Sequence, residues 1–157
     1  FSSVLGCNLG MFYKRRDYTR VVNGRNPIVA HEYLGDSVEG KTVFIADDII
    51  ASGESMLEVA SNLKTRGAKR IIADATFPLF TSGLDKFDKA VEEGTLDYVV
   101  GTNLTYRKPE LLNRDWYVDV DVSKYAAYFI VALNHDMSVS SIIDPIKKIE
   151  ALLANRK

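Results

Sequence analysis

Six short runs rich in β-branched and aromatic residues alternate with four longer stretches of helical periodicity, and this alternation limits the fold more than any other feature of the chain. The strand-like runs are residues 10–14, 27–32, 42–46, 70–75, 96–101 and 115–120. The helical stretches are 54–66, 84–93, 123–134 and 141–154. In the first of these, Met56, Leu57, Ala60 and Leu63 recur at a spacing that makes one apolar face, and Gly67 stands where the helix should stop. Strands separated by helices predict an α/β sheet with crossover connections. No repeat, low-complexity tract or Pro/Gly-rich linker interrupts the order, so residues 1–157 read as a single domain. Residues 14–26 stand apart: they carry five Arg or Lys among Gly, Asn and Asp, between two strands.

The chain has 157 residues, of which 46% are hydrophobic, which is enough for a real core. Its net charge is −1 with acids and bases interspersed, which argues against a general nucleic-acid surface and for a small partner. No apolar run is long enough to span a bilayer, and the single cysteine, Cys7, has no internal disulfide partner, so a cytoplasmic setting is the expectation. Cys7 lies in an apolar stretch and is expected to be a buried core thiol. His31 and His135 lack partners at metal-ligand spacing, which argues against a structural zinc site. Trp116, Tyr117 and the aromatics around Tyr125 read as core or subunit interface. The first ten residues have neither an initiator Met nor a signal-peptide pattern and resemble the second half of a helix. The chain is therefore expected to begin inside a domain.

Residues 43–56, VFIADDIIASGESM, carry the chemistry. A buried parallel strand ending near Ala46 would deliver Asp47 and Asp48 to the carboxyl edge of the sheet, where open α/β folds bind ligands. Carboxylates there accept hydrogen bonds from sugar hydroxyls or hold Mg²⁺. The following Ala51, Ser52, Gly53, Glu54 and Ser55 open into a helix; apart from Glu54 they are small. Backbone N–H groups at such a turn approach an anion closely, and the positive end of the helix adds to the attraction. Acids for a sugar and a loop for a phosphate together suggest a sugar phosphate. An ordinary turn capped by Ser52 or Ser55, with the acids solvated, accounts for the same spacing.

This arrangement resembles the phosphoribosyl-diphosphate (PRPP) motif of type I phosphoribosyltransferases: an apolar strand, two acids and a small-residue loop entering a helix. Asp47 and Asp48 match the acids that engage the ribose hydroxyls. Ser52, Gly53, Glu54 and Ser55 match the loop that holds the 5′-phosphate. Glu54 departs from the motif, and a carboxylate beside a phosphate weakens binding unless it points to solvent. Five longer stretches, YKRRDYT (13–19), HEYLGDSVEGKTVFIADDIIASGES (31–55), LKTRGAKRIIADATFPLF (63–80), VVGTNLTY (99–106) and SVSSI (138–142), resemble the C-terminal half of ribose-phosphate pyrophosphokinases in order and spacing. Thr76-Phe77-Pro78-Leu79-Phe80 stands where that family has T-H-G-L-F, and Gly101-Thr102-Asn103-Leu104 where it has V-T-N-T, which marks a divergent member.

The resemblance implies a doubly wound, mainly parallel α/β sheet with helices on both faces, truncated at its N-terminus and lacking an upstream related domain. It implies an Mg²⁺-dependent transfer of the diphosphoryl group of ATP to O1 of ribose 5-phosphate, with Asp47 as a metal ligand. Lys14 and Arg16 match the family's residues that reach the diphosphoryl group in transit, where charge neutralisation is the protein's main task. The chain has no P-loop, kinase-type Gly-rich loop or evident adenine pocket, so ATP is expected to be held mostly by the upstream domain or a neighbouring subunit of a homo-oligomer. A phosphoribosyltransferase that consumes PRPP, or a non-catalytic regulatory subunit that keeps the fold, are the alternatives.

Overall fold

The computed structural model describes residues 2–16, 19 and 28–155, which group into one unit of Phe1–Ser37 with Ile149–Lys157 and another of Val38–Lys148. In the first unit a one-turn helix α1 (Ser2–Leu5) precedes two antiparallel strands, β1 (Met11–Arg16) and β2 (Ile28–Leu34). Their register sets Met11 opposite Leu34 and Lys14 opposite His31, with an irregularity between Arg15 and Arg16. Tyr33 lies tilted against Phe12, ring centroids 5.1 Å apart, and covers Gly10, where any Cβ would overlap its ring. Its hydroxyl donates to the carbonyl of Asp36, and Asn8 Nδ2 donates to the Asp36 carboxylate at 2.6 Å. Cys7, expected in the core, is exposed, because it lies in the irregular connection between α1 and β1.

The second unit is built on four parallel strands, β3 (Thr42–Ile50), β4 (Arg70–Pro78), β5 (Tyr98–Thr102) and β6 (Tyr117–Val120), hydrogen-bonded in that order. Helices α2 (Glu54–Thr65), α3 (Asp85–Glu92) and the single turn α4 (Pro109–Leu112) make the three crossovers between them. After the sheet come α5 (Ser123–Asn134), α6 (Ser140–Ile143) and α7 (Ile146–Ala154), the last running from the second unit into residues assigned to the first. This is the parallel α/β architecture expected from the alternation of elements.

Strand periodicity sets the core. Along β4, Ile71, Ala73 and Ala75 are buried while Ile72, Asp74 and Thr76 are only half-buried, a period of two. Val99 and Tyr117 continue the buried side on β5 and β6. Met56, Ala60 and Leu63 of α2 and Phe87 and Ala90 of α3 are buried, as helical spacing requires. Phe87 is fully buried between Phe80 at 4.9 Å and Trp116 at 5.9 Å, and burying a side chain of that size stabilises by about 1.5–3 kcal/mol. Helix α2 ends as Gly67 predicts: Gly67 takes φ +85, its N–H donates to the Lys64 carbonyl, and Ala68 N–H donates to that of Leu63.

The sequence reading places a buried strand at 42–46, but β3 runs on to Ile50 and is largely exposed. It continues because Ile49 and Ile50, two β-branched residues suited to a ladder, pair with Phe77 and Pro78. It is exposed because it is an outer strand of this sheet, with a strand partner only on the β4 side among the described residues. The single helix expected over 141–154 is instead two, since Pro145 holds Asp144 in an extended conformation at ψ 100.

Candidate functional site

Asp47 and Asp48 lie in the last four residues of β3, and their level in the sheet matters more than the strand's end. Asp47 is in register with Ala75, then Gly101, then Asp119. Strand β5 stops one residue after Gly101, where Thr102 Oγ1 donates to the carbonyl of Thr76 at 2.6 Å. Both acids therefore stand where the narrower part of the sheet ends, while β3 and β4 overhang it. Because the strand continues through them, they alternate: Asp47 shares the face of Ala75, Asp48 the opposite one. Both are exposed, and Asp47 Oδ1 accepts the Asp48 N–H at 2.9 Å. On the face of Asp48, β4 carries Asp74, whose carboxyl is held above its ordinary range by burial. Sequence reasoning passed over that acid, which sits inside an otherwise apolar run.

The loop after Ile50 is shaped by what packs beneath it. Gly53 is the N-cap of α2, in the left-handed region at φ 79, and a Cβ there would overlap the Phe87 ring of α3. Only glycine meets both demands. The carbonyls of Ile50 and Ala51 accept the N–H groups of Leu79, Phe80 and Thr81 at 2.9–3.1 Å, so the loop hangs on the chain after β4. Neither serine caps the helix well: the cap has no side-chain hydrogen bond, and Ser52 Oγ meets the Glu54 N–H only at 3.5 Å. Among the described residues, the Ser55 N–H has no backbone acceptor, and the first bond of the helix is Leu57 N–H to the Gly53 carbonyl at 2.9 Å. A helix N-terminus with open donors and a bare glycine is suited to an anion.

Glu54 does not close that opening. Its carboxylate accepts a hydrogen bond from Lys86 Nζ of α3 at 2.6 Å, and this bond, then the charge of Lys86, lowers its pKa. Lys86 lies far from the motif in sequence, and nothing in the chain's pattern marks it.

Lys14 and Arg16, expected in the polar connection of residues 14–26, are backbone members of β1 in the first unit. Their side chains, and most of residues 17–27, lie outside the described residues. Thr76, half-buried, lies within β4, and Thr81 and Ser82, both exposed, follow it. Asn103 is a structural tie: its side chain bonds Asp121 at 2.6 Å, Ser123 at 2.8 Å and the Val122 N–H at 2.9 Å, joining β5 to the start of α5. No group of three His, Cys, Asp or Glu positioned for a metal occurs among the described residues. A cleft of about 250 Å³ past the end of β4 is lined by residues such as Pro78, Phe80, Tyr106 and Lys108 and shares none with the acids or the loop.

The sequence model of the phosphoribosyl transferase domain matches residues 1–124. The ribose-phosphate pyrophosphokinase of Wolinella succinogenes is 34% identical over 110 residues, 70% of this chain and 32% of that protein. The enzyme of the same name from Thermotoga maritima is 31% identical over 140 residues, 88% of this chain and 40% of that one. This chain thus spans well under half the length of these relatives. Among solved structures, phosphoribosylpyrophosphate synthetase from Mycobacterium smegmatis superposes with a TM-score of 0.59 at 22% identity, over 68% of this chain and 34% of that one, a likeness of fold. A domain model that covers most of the chain, on a parallel sheet with paired acids and a glycine-capped helix at its carboxyl edge, makes this chain a member of the phosphoribosyl transferase domain family.

Proposed function

We propose that this chain supplies the ribose 5-phosphate site of a ribose-phosphate diphosphokinase. The observation that carries the reading is the continuous run from paired acids to an open, glycine-capped helix N-terminus, in a chain 31–34% identical to proteins of that name. Asp47 and Asp48 accept hydrogen bonds from the ribose hydroxyls, and residues 51–55 hold the 5′-phosphate. The O1 oxygen of the sugar attacks the β-phosphorus of ATP, and the bond from that phosphorus to the α-phosphate oxygen breaks. AMP leaves, and the hydroxyl proton passes to solvent. Lys14 and Arg16 offset charge on the group in transit, which is how a protein chiefly assists such a transfer.

One exposed carboxylate is a sufficient protein share for Mg²⁺, which usually takes one or two together with waters and phosphate oxygens. Asp47 would hold it, and the ion would supply neutralisation of phosphate charge. ATP is held mostly by surfaces outside this chain, in further sequence or a neighbouring subunit of the same kind, and the protein works in the cytoplasm. Exposed apolar side chains along α5, among them Tyr128, Ile130 and Leu133, support assembly into oligomers.

A coupled assay for AMP release from ATP and ribose 5-phosphate by the full-length protein tests the reading. AMP formed in step with PRPP is the expected result. Consumption of PRPP with a nucleobase and release of diphosphate would assign a phosphoribosyltransferase instead. Neither reaction, with ribose 5-phosphate still bound, would assign a regulatory subunit.

A further inference from the structure

The motif's acidic departure, Glu54, meets a cation from another helix, and this pairing has consequences for the loop. An acid in the first turn of α2 is drawn to the same N–H groups and the same positive helix end that an incoming phosphate needs. Left unpaired, Glu54 would act as a built-in competing anion. We propose that Lys86 is a positioning residue for the phosphate loop: it holds the Glu54 carboxylate in the groove between α2 and α3 and offsets its charge, so that residues 52–55 accept an external anion. This rests on the reading of that loop as a phosphate site.

The geometry supports the assignment at three points. Glu54 and Lys86 line one groove with Leu57 and Ala90, between the two helices. The other ion pair at that groove, Lys89 with Glu93 at 3.7 Å, is internal to the α3 end, so Lys86 is the groove cation paired with Glu54. The position of Lys86 is set by its neighbour, since Phe87 is fully buried and lies directly under Gly53. The same contact that demands glycine in the loop thus delivers a lysine to the residue after it. The pair is exposed, 51% for Lys86 and 69% for Glu54, so it adds little to folding and variants at either position should fold.

The test is titration of ribose 5-phosphate, and separately of inorganic phosphate, into this chain, with Kd read alongside the amide shifts of residues 52–55. Lys86→Gln should weaken both ligands by roughly three- to tenfold, the effect of one exposed charge at close range. Lys86→Arg should restore most of the loss. In a Glu54→Gln background Lys86→Gln should change affinity by less than about twofold, because no carboxylate remains to be offset. An equal loss in both backgrounds, meaning that Lys86 meets the ligand directly or serves the fold, overturns the proposal. So does no loss in either. Absence of any phosphate-dependent shift at residues 52–55 in the unaltered chain overturns the phosphate reading together with this one. Binding at the loop that is indifferent to Lys86 overturns this one alone.

Discussion

Gly53 carries two constraints, a left-handed backbone at φ 79 and the Phe87 ring where a Cβ would sit, and each would resist substitution alone. Gly53→Ala should cost about 1–3 kcal/mol, the usual range for forcing extra volume into a packed site, and should abolish anion-dependent amide shifts in the loop. Thermal melts with and without phosphate check both. Asp47→Asn and Asp48→Asn should behave in the opposite way. Each removes a charge at an exposed position, so melting temperature should hold while affinity for ribose 5-phosphate falls on the order of tenfold or more. Unchanged affinity in both variants would remove the sugar-binding role. Asp88 is an acid of another kind: its carboxylate accepts from Arg114 at 2.8 Å and from the indole N–H of buried Trp116 at 2.8 Å. The hydrogen bond from Arg114 is the largest cause that holds its pKa below the ordinary 3.8, against a smaller opposing effect of burial. A depressed carboxyl stabilises the fold above its unfolded value and loses that contribution as pH falls through the folded one. Asp88→Ala should therefore destabilise at pH 7 by about 1–3 kcal/mol, the cost of orphaning the Trp116 N–H, and the gap to the unaltered chain should narrow below pH 3.8 in an acid titration of stability.

Elements were legible in the sequence where one periodicity ran without competition. Helix α2 has a clean apolar face and a terminating glycine, and its observed span, Glu54–Thr65, differs from the expected one by a single residue. Helix α5 occupies the expected 123–134. The readings that failed did so for local reasons. Two carboxylates looked like the end of a strand, yet pairing of Ile49 and Ile50 with β4 carried β3 past them. Pro145 broke a periodic stretch into α6 and α7. The turn α4 was missed because four residues are too few to show a helical period and Pro109 at their start reads equally well as loop. The candidate site was legible in its chain-local part, the acids and the loop. Lys86 was not, because its contact with Glu54 spans 32 positions and exists only once α3 packs against the loop. Asn103 was legible as a polar residue but not as the tie to Asp121 and Ser123, which depends on β5 and β6 lying side by side.

At the scale of the whole molecule, the proposed reaction requires two phosphate-bearing reactants held in line. Under the proposed function this chain holds one of them, so by itself it should bind ribose 5-phosphate and show no ATP-dependent AMP release. The missing surface forfeits most of a proximity advantage worth about 7–11 kcal/mol. Steady AMP production by these 157 residues, free of contaminating enzyme, would relocate the nucleotide site into this chain. The outer strand of the second unit has a different consequence, for handling rather than catalysis. Along β3 the flank away from β4 presents backbone donors and acceptors with no neighbouring strand among the described residues, and Phe44 on that strand is 49% exposed. Such a flank is a template that any extended peptide can extend by one rung after another. Self-association of this chain in concentrated solution should therefore run in part through a seam far smaller than its surface, and a short strand-forming peptide matched to β3 should reduce it in light scattering by acting as a cap.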